Sequence, residues 1–380
     1  MEGRDPTLVT ERRVDNVELF FDLVFVVIIM QLTALLRGDP GPQDFLTVAG
    51  LLVLVWAAWL NVTTLANLGG VSSAQRRVPV LVSMAGTALI AISIPHATTT
   101  TAALFAIGYA IARIAMWPLW LGVARRGGSS GLRATVYGPG LAALWLISIA
   151  TPDSIRLWCW GVLVVAELII LLRGFTRSAL LPSHLIERVG LFTMIVLGES
   201  IAEIVLSVRF DQSVQAWLIT TFGFLMITAF WWLYFQNGTT ISTRVLGAGS
   251  LVLLRDVLGI AHYLVVLGLI GIAAGLGGAI ELADTATLPA SVVISLCGGV
   301  VIYEIAQVLI GRRYGLSGRV AGLWAMLTVA LGSVVIILGT SWPPWLTVAV
   351  LLAGTGAHFI VGPYLARRVT SGLSPRGPAL

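Results

Sequence analysis

Eight carboxylates and three arginines sit where a chain in hydrocarbon can least afford them. Glu18, Asp22, Glu167, Glu187, Glu199, Glu203, Asp256 and Glu304 fall inside apolar runs, as do Arg113, Arg188 and Arg255. His184, His262 and His358 accompany them. Each embedded charge costs about 2.5–3.5 kcal/mol on insertion scales, so such groups normally face a bundle interior or a water-filled cavity. Two kinds of chemistry suit them. One is an interhelical network of ion pairs and hydrogen bonds that holds helices together. The other is a polar stripe that carries a proton, a small cation or a small solute.

Spacing sorts these residues into groups. In "HLIERVGLFTMIVLGESIAEIV" (184–205), His184, Arg188, Glu199 and Glu203 lie within about a 100° arc of one helix, with Glu187 beside them. In "VELFFDLVF" (17–25), Glu18 and Asp22 stand one turn apart on one face and call for a cationic partner, Arg188 or Arg255. In "RDVLGIAHY" (255–263), Arg255 is followed seven residues later by His262, whose ordinary pKa suits a proton relay. Arg255 and Arg188 are the charge partners expected for acids of the first and seventh spans, with Asp256 and His184 nearby. Arg113, Glu304, Glu167 and His358 form a secondary set, in which an Arg113–Glu304 ion pair is expected. The acidic excess favours a cation or a proton over an anion.

The elements that position these groups are membrane helices. Of the 380 residues 57% are hydrophobic and only 11% charged, with mean hydropathy +0.95, against about 25% charge in soluble domains. The expected fold is all-α and polytopic. Twelve segments reach the roughly 20 residues a span needs: 18–36, 45–68, 78–95, 101–123, 134–151, 155–172, 184–208, 214–236, 249–273, 288–310, 320–340 and 344–366. The first is read as a retained span and not a cleaved signal, because it opens on two acids and lacks a small-residue cleavage site.

All 23 basic residues are arginine. With a cytoplasmic N-terminus, 17 of them fall on the cytoplasmic side, against Arg37, Arg156 and Arg209 outside and three within spans. That asymmetry predicts that both termini are cytoplasmic. The scattered arginines form no patch for nucleic acid. Cys159 and Cys297 lie in apolar runs and suggest neither a disulfide nor a metal site.

Internal echoes suggest duplication. Leu19-Phe20 matches Leu191-Phe192, Trp59-Leu60 matches Trp232-Leu233, and "GYAIARIA" (108–115) aligns with "GVVIYEIA" (299–306). The expected organisation is a cytoplasmic segment 1–17, a six-helix half 18–178, a second half 179–368 and a disordered cytoplasmic tail 369–380. Parallel halves of this kind commonly place a pathway where they meet. Trp231, Trp232 and Tyr234 could cage a cation, or simply pack. No Walker motif, dinucleotide fingerprint or nucleophile elbow occurs, so neither catalysis nor a cofactor is expected.

"ELFFDLVFV" (18–26), "HLIERVGLFTMIVLGESI" (184–201), "WWLYF" (231–235) and "RDVLGIAHY" (255–263) together resemble the bacterial low temperature requirement A family. The resemblance implies a multi-pass membrane protein linked to growth in the cold. It marks Glu18, Asp22, His184, Glu187, Arg188, Glu199, Arg255 and His262 as positions of its pattern. Gln236 departs from it, standing where the family often has Asp. "FFDLVF" is also similar to part of a signature of the endolysosomal-type potassium channels, which have two six-span repeats. Asn16 and Phe21 replace that signature's Arg and Ser. The function expected is a transporter or channel for a small cation or a proton-coupled small solute, with an acidic, cytoplasm-facing intramembrane site. The alternative is a non-transporting factor, such as a lipid-responsive sensor or an assembly scaffold.

Overall fold

A computed structural model describes residues 16–67, 73–127, 130–174, 182–238, 242, 245–246 and 251–357. His358, the segment 1–15 and the tail from 369 lie outside them. Lipid offers the backbone no hydrogen-bond partner, so a chain of this hydropathy must satisfy its amides within helices. The described residues accordingly form helices and contain no strand. In order these are α1 (Asn16–Ala34), α2 (Pro42–Asn67), α3 (Ser73–Ser93), α4 (Ala102–Arg126), α5 (Leu132–Ala150) and α6 (Asp153–Gly174). There follow α7 (Pro182–Ser207), α8 (Val214–Gln236), α9 (Val252–Glu281), α10 (Ala290–Arg313), α11 (Gly318–Leu338) and α12 (Pro344–Ala357).

Local chemistry sets several boundaries. Ser213 and Ser317 accept hydrogen bonds from the backbone N–H of Ala216 and Val320, capping α8 and α11. Proline opens α2, α7 and α12, where its missing N–H costs nothing. Gly315 turns the chain between α10 and α11 at φ +97°, a conformation that favours glycine.

Among the described residues ten helices, α1–α5 and α7–α11, are long and apolar enough to cross a membrane. The chain is thus a multi-pass membrane protein. Of the remaining two expected spans, α6 has 22 residues and α12 is shorter, and neither belongs to that ten.

Packing repeats a theme. The most extensive interface joins α9 to α10, and the next joins α3 to α4. Both rest on glycine, which lets backbones approach where no hydrophobic effect drives helices together. A β-carbon on Gly86 would lie 2.6 Å from the Gly108 carbonyl, and one on Gly108 equally close to the Gly86 carbonyl. On Gly299 it would meet the Ile272 amide at 2.6 Å and the Gly268 carbonyl at 2.7 Å.

Three helices widen locally into π-turns, at Val136–Gly140 in α5, Leu233–Gly238 at the end of α8 and Arg255–Ala261 in α9. Such turns free carbonyls, and buried side chains use them. Arg113 donates to the Tyr137 carbonyl at 2.8 Å, and Trp56 Nε1 to the Gly259 carbonyl at 2.7 Å.

Gly299→Ala is expected to cost about 1–3 kcal/mol through forced separation of α9 and α10. Gly298→Ala, whose β-carbon meets nothing within 4 Å, should cost nothing. Thermal unfolding of the two variants in detergent checks this, and equal Tm values would discount glycine contact as what holds the pair.

Candidate functional site

The α1–α7 seam carries the buried charges. Glu18 faces His184, Asp22 faces Arg188, and Arg37 just past α1 faces Glu203. Each pair is 166 residues apart in sequence. A constant offset along both helices means that they run parallel and in step.

The first cluster lies at the N-terminal ends of this pair. Arg188 is fully buried, and its Nη2 donates to Asp22 Oδ1 at 2.8 Å. Thr63 Oγ1 is 3.4 Å from the same nitrogen, and Glu18 Oε2 is 3.9 Å from Nη1. The guanidinium lies over the Trp59 ring, 5.7 Å from its centroid, while Trp59 Nε1 donates to Asp22 Oδ1 at 2.9 Å. Glu18 is also held by Arg76 Nη1 at 3.1 Å and lies 3.3 Å from His184 Nε2. Asn67 approaches His184 Nδ1 at 3.4 Å. Two carboxylates thus meet two guanidiniums, and the cluster balances without His184. A cavity of about 10 Å³ borders Glu18 and Arg76, about the room a single water needs.

The second cluster occupies the C-terminal ends. Glu203, 1% exposed, forms an ion pair with half-exposed Arg37. Glu199 is buried one turn earlier. Glu199 Oε1 and Glu203 Oε1 have no hydrogen-bond partner. The hydrogen bond to Glu203 raises the Arg37 pKa above its ordinary value against partial burial, helped by the charges of Glu203, Glu281 and Glu199.

An aromatic partition separates the clusters. Phe25 packs on Phe21 and Phe192 at centroid distances of 5.0 and 5.7 Å, and Trp56 and Trp59 stack at 5.1 Å. Phe192 lies 4.8 Å from Trp59 and 5.3 Å from Trp56. The single stripe expected on α7 is therefore two sites. From Arg188 to Glu199 the helix rises about 16 Å, enough for that apolar layer.

Other expected groups go elsewhere. Arg255 bonds its neighbour Asp256 through Nε at 2.8 Å and Nη2 at 2.6 Å, instead of an acid on the first or seventh span, and Arg313 pairs with the same carboxylate. Arg113 pairs with Glu167 in place of the expected Glu304, because its guanidinium is drawn to the Tyr137 carbonyl and the Tyr109 hydroxyl. Glu304 accepts from Trp324 Nε1 at 3.2 Å. Glu187 is exposed. His262 Nδ1 is 2.7 Å from the Val257 carbonyl, and Nε2 is 2.9 Å from the Tyr234 hydroxyl. The carbonyl can only accept, so Nδ1 carries the proton and Nε2 accepts from Tyr234. On the other side the Tyr234 hydroxyl lies 3.3 Å from Thr193 Oγ1, itself 2.9 Å from the Val189 carbonyl, so the chain has a backbone carbonyl at each end. Trp231 and Trp232 are exposed while Tyr234 turns to His262, so the three rings do not enclose a common point. Among the described residues no three His, Cys, Asp or Glu side chains gather as metal ligands.

Arg76 and Arg37 are the members that sequence reasoning left in loops. Starting α3 at Ser73 puts Arg76 in a helix, turned inward, with Arg77 exposed beside it. The doublet was the available signal, since adjacent helical residues point about 100° apart and one of the two can turn inward.

The family model described as "Bacterial low temperature requirement A protein" matches residues 13–355. An uncharacterised protein of Rhizobium meliloti (strain 1021) is 27% identical over 237 residues, 58% of each chain. The match thus spans under two thirds of that relative's length. No solved structure matches.

Arg188→Met should destabilise by about 3–5 kcal/mol, because it strands Asp22 in a buried site. Adding Asp22→Leu should recover much of that loss, since removing both partners leaves no orphaned charge. Thermal unfolding in detergent decides, and a double variant no better than the single would show that the pair does not act as a unit.

Proposed function

This chain belongs to the bacterial low temperature requirement A family, and we propose that it is a transporter or channel for a small cation or a proton-coupled small solute. The observation that carries this reading is the α1–α7 seam. It holds polar clusters at both ends, each with buried carboxylate oxygens that accept no hydrogen bond, and an apolar partition between them. A route closed at its middle has this layout, and transporters built from repeats bind their ions near the repeat interface.

The proposed architecture is twelve spans in two six-helix halves, with both termini in the cytoplasm of a bacterial plasma membrane. Parallel α1 and α7 support it, because an odd number of crossings must separate two helices of the same direction, and α2–α6 supply five. Equivalent pairings also recur: α1 with α3 and α7 with α9, α3 with α4 and α9 with α10, α4 with α5 and α10 with α11. Gly108 and Gly299, aligned in the sequence echo, are both close-approach residues. In this orientation the balanced cluster faces the cytoplasm and the acid-rich one faces outward. Neither cluster supplies a nucleophile with its base, so the reading assigns no catalysis.

A second reading, a non-transporting scaffold or lipid-responsive sensor, draws on the first cluster. Its charges cancel and the neighbouring cavity has room for about one water.

Proteoliposome flux separates the two. Glu199→Gln and Asp22→Asn are expected to lower proton or alkali-cation flux at least tenfold while the protein remains folded. Unchanged flux in both variants would discard transport and leave the scaffold.

A further inference from the structure

The second cluster contains a feature its acids alone do not explain. Gly277 of α9 faces α7 where Glu203 comes closest, and a β-carbon there would lie 2.5 Å from Glu203 Oε1 and 3.1 Å from Ser207 Oγ. The missing side chain therefore makes a cradle in which a carboxylate oxygen and a hydroxyl converge. Ser207 is 8% exposed and its Oγ has no hydrogen-bond partner. A serine at that depth ordinarily bonds the carbonyl one turn back, as Ser200 does to Val196 at 3.1 Å. Ser207 does not. Glu199, one turn before Glu203 on the same face, adds another buried oxygen without a partner.

We propose that Glu203, Ser207 and Glu199, backed by Gly277, form an outward-facing binding site for one alkali-metal cation. Oxygen donors without nitrogen or sulfur suit a hard cation. Charge selects its valence. With both carboxylates ionised, Glu199 and Glu203 outnumber Arg37 by one charge, so a monovalent ion brings these three side chains to neutrality, whereas a divalent ion overshoots. Arg37 holds the Oε2 side of Glu203 and leaves Oε1 to the cradle. The inference deepens the transport reading and rests on it for the ion's passage, but not for its binding.

The test uses the purified full chain in detergent, with LiCl, NaCl or KCl replacing N-methylglucamine chloride at constant ionic strength. At least one alkali ion should raise Tm saturably, as a ligand of the folded state must. Ser207→Ala should raise its half-saturating concentration about tenfold, and Glu203→Gln should abolish the effect. Asp211→Asn, in the exposed loop after α7, should leave it unchanged. Gly277→Ala, which fills the cradle, should act like Glu203→Gln, and Ser207→Ala serves if that variant does not fold. Equal Tm in every salt overturns the proposal. So does an ion-specific rise that persists in both Ser207→Ala and Glu203→Gln. A specific rise without proteoliposome flux keeps the site and discards transport, while flux without a rise does the reverse.

Discussion

The burial of the Arg188 guanidinium constrains the rest of the molecule. A guanidinium cannot be neutralised by losing its proton, so in a dry interior it must be met by acceptors and by negative charge. Asp22 supplies both, Trp59 offers its ring face and a hydrogen bond to the same carboxylate, and Thr63 stands beside it. These residues come from α1, α2 and α7. Any shift of α1 along α7 would separate Asp22 from Arg188, Glu18 from His184 and Arg37 from Glu203 at once. Apolar helices sliding in lipid have little else to fix their register, because hydrocarbon is as comfortable against lipid as against another helix. The ion pairs set position more than they add stability.

Around this pin the packing is ordinary membrane-protein chemistry. Glycines bring α3 onto α4 and α9 onto α10 until their backbones touch, so dispersion forces act over the shortest distances. The π-turns serve the polar side. Widening α9 at Arg255–Ala261 offers the Val257 carbonyl to His262 and the Gly259 carbonyl to Trp56, and the turn in α5 offers that of Tyr137 to Arg113. Wide turns concentrate at functional positions, and here those of α5 and α9 coincide with buried polar side chains.

Much of this was legible in the chain. The apolar runs locate every labelled helix, and the cost of a buried charge already required Asp22 to find a cation, with Arg188 one of two choices. The harder part was partnership. Arg255 and Arg113 were assigned distant acids, whereas Asp256 adjoins the first and Glu167 lies across a neighbouring helix from the second. Angular position on a helix says which way a side chain points and nothing about which helix stands there. The π-turns left no mark either, since an inserted residue shifts the phase of a helix without changing its hydropathy. Nor could a helical wheel reveal that His184 and Glu199 belong to different clusters, because projection down the axis discards the height at which Phe192 intervenes.

The placement of the two clusters is the strongest sign that they differ in purpose. Glu18 and Asp22 lie in the first turns of α1, where the positive end of the helix dipole favours carboxylates. Glu203 lies about one turn from the C-terminal end of α7, where the dipole's negative end opposes it, and Glu199 one turn before that. Arg37 follows the C-terminal end of α1, a favourable place for a cation, yet it offsets only one of the two acids. A network selected for holding helices together would be expected to resemble the first cluster, balanced and aligned with its dipoles. The second has more carboxylates than cations, at the end of a helix where the dipole does not favour them. Stability alone gives no reason to keep it, whereas a mobile cation that arrives, neutralises the excess and leaves would require that imbalance.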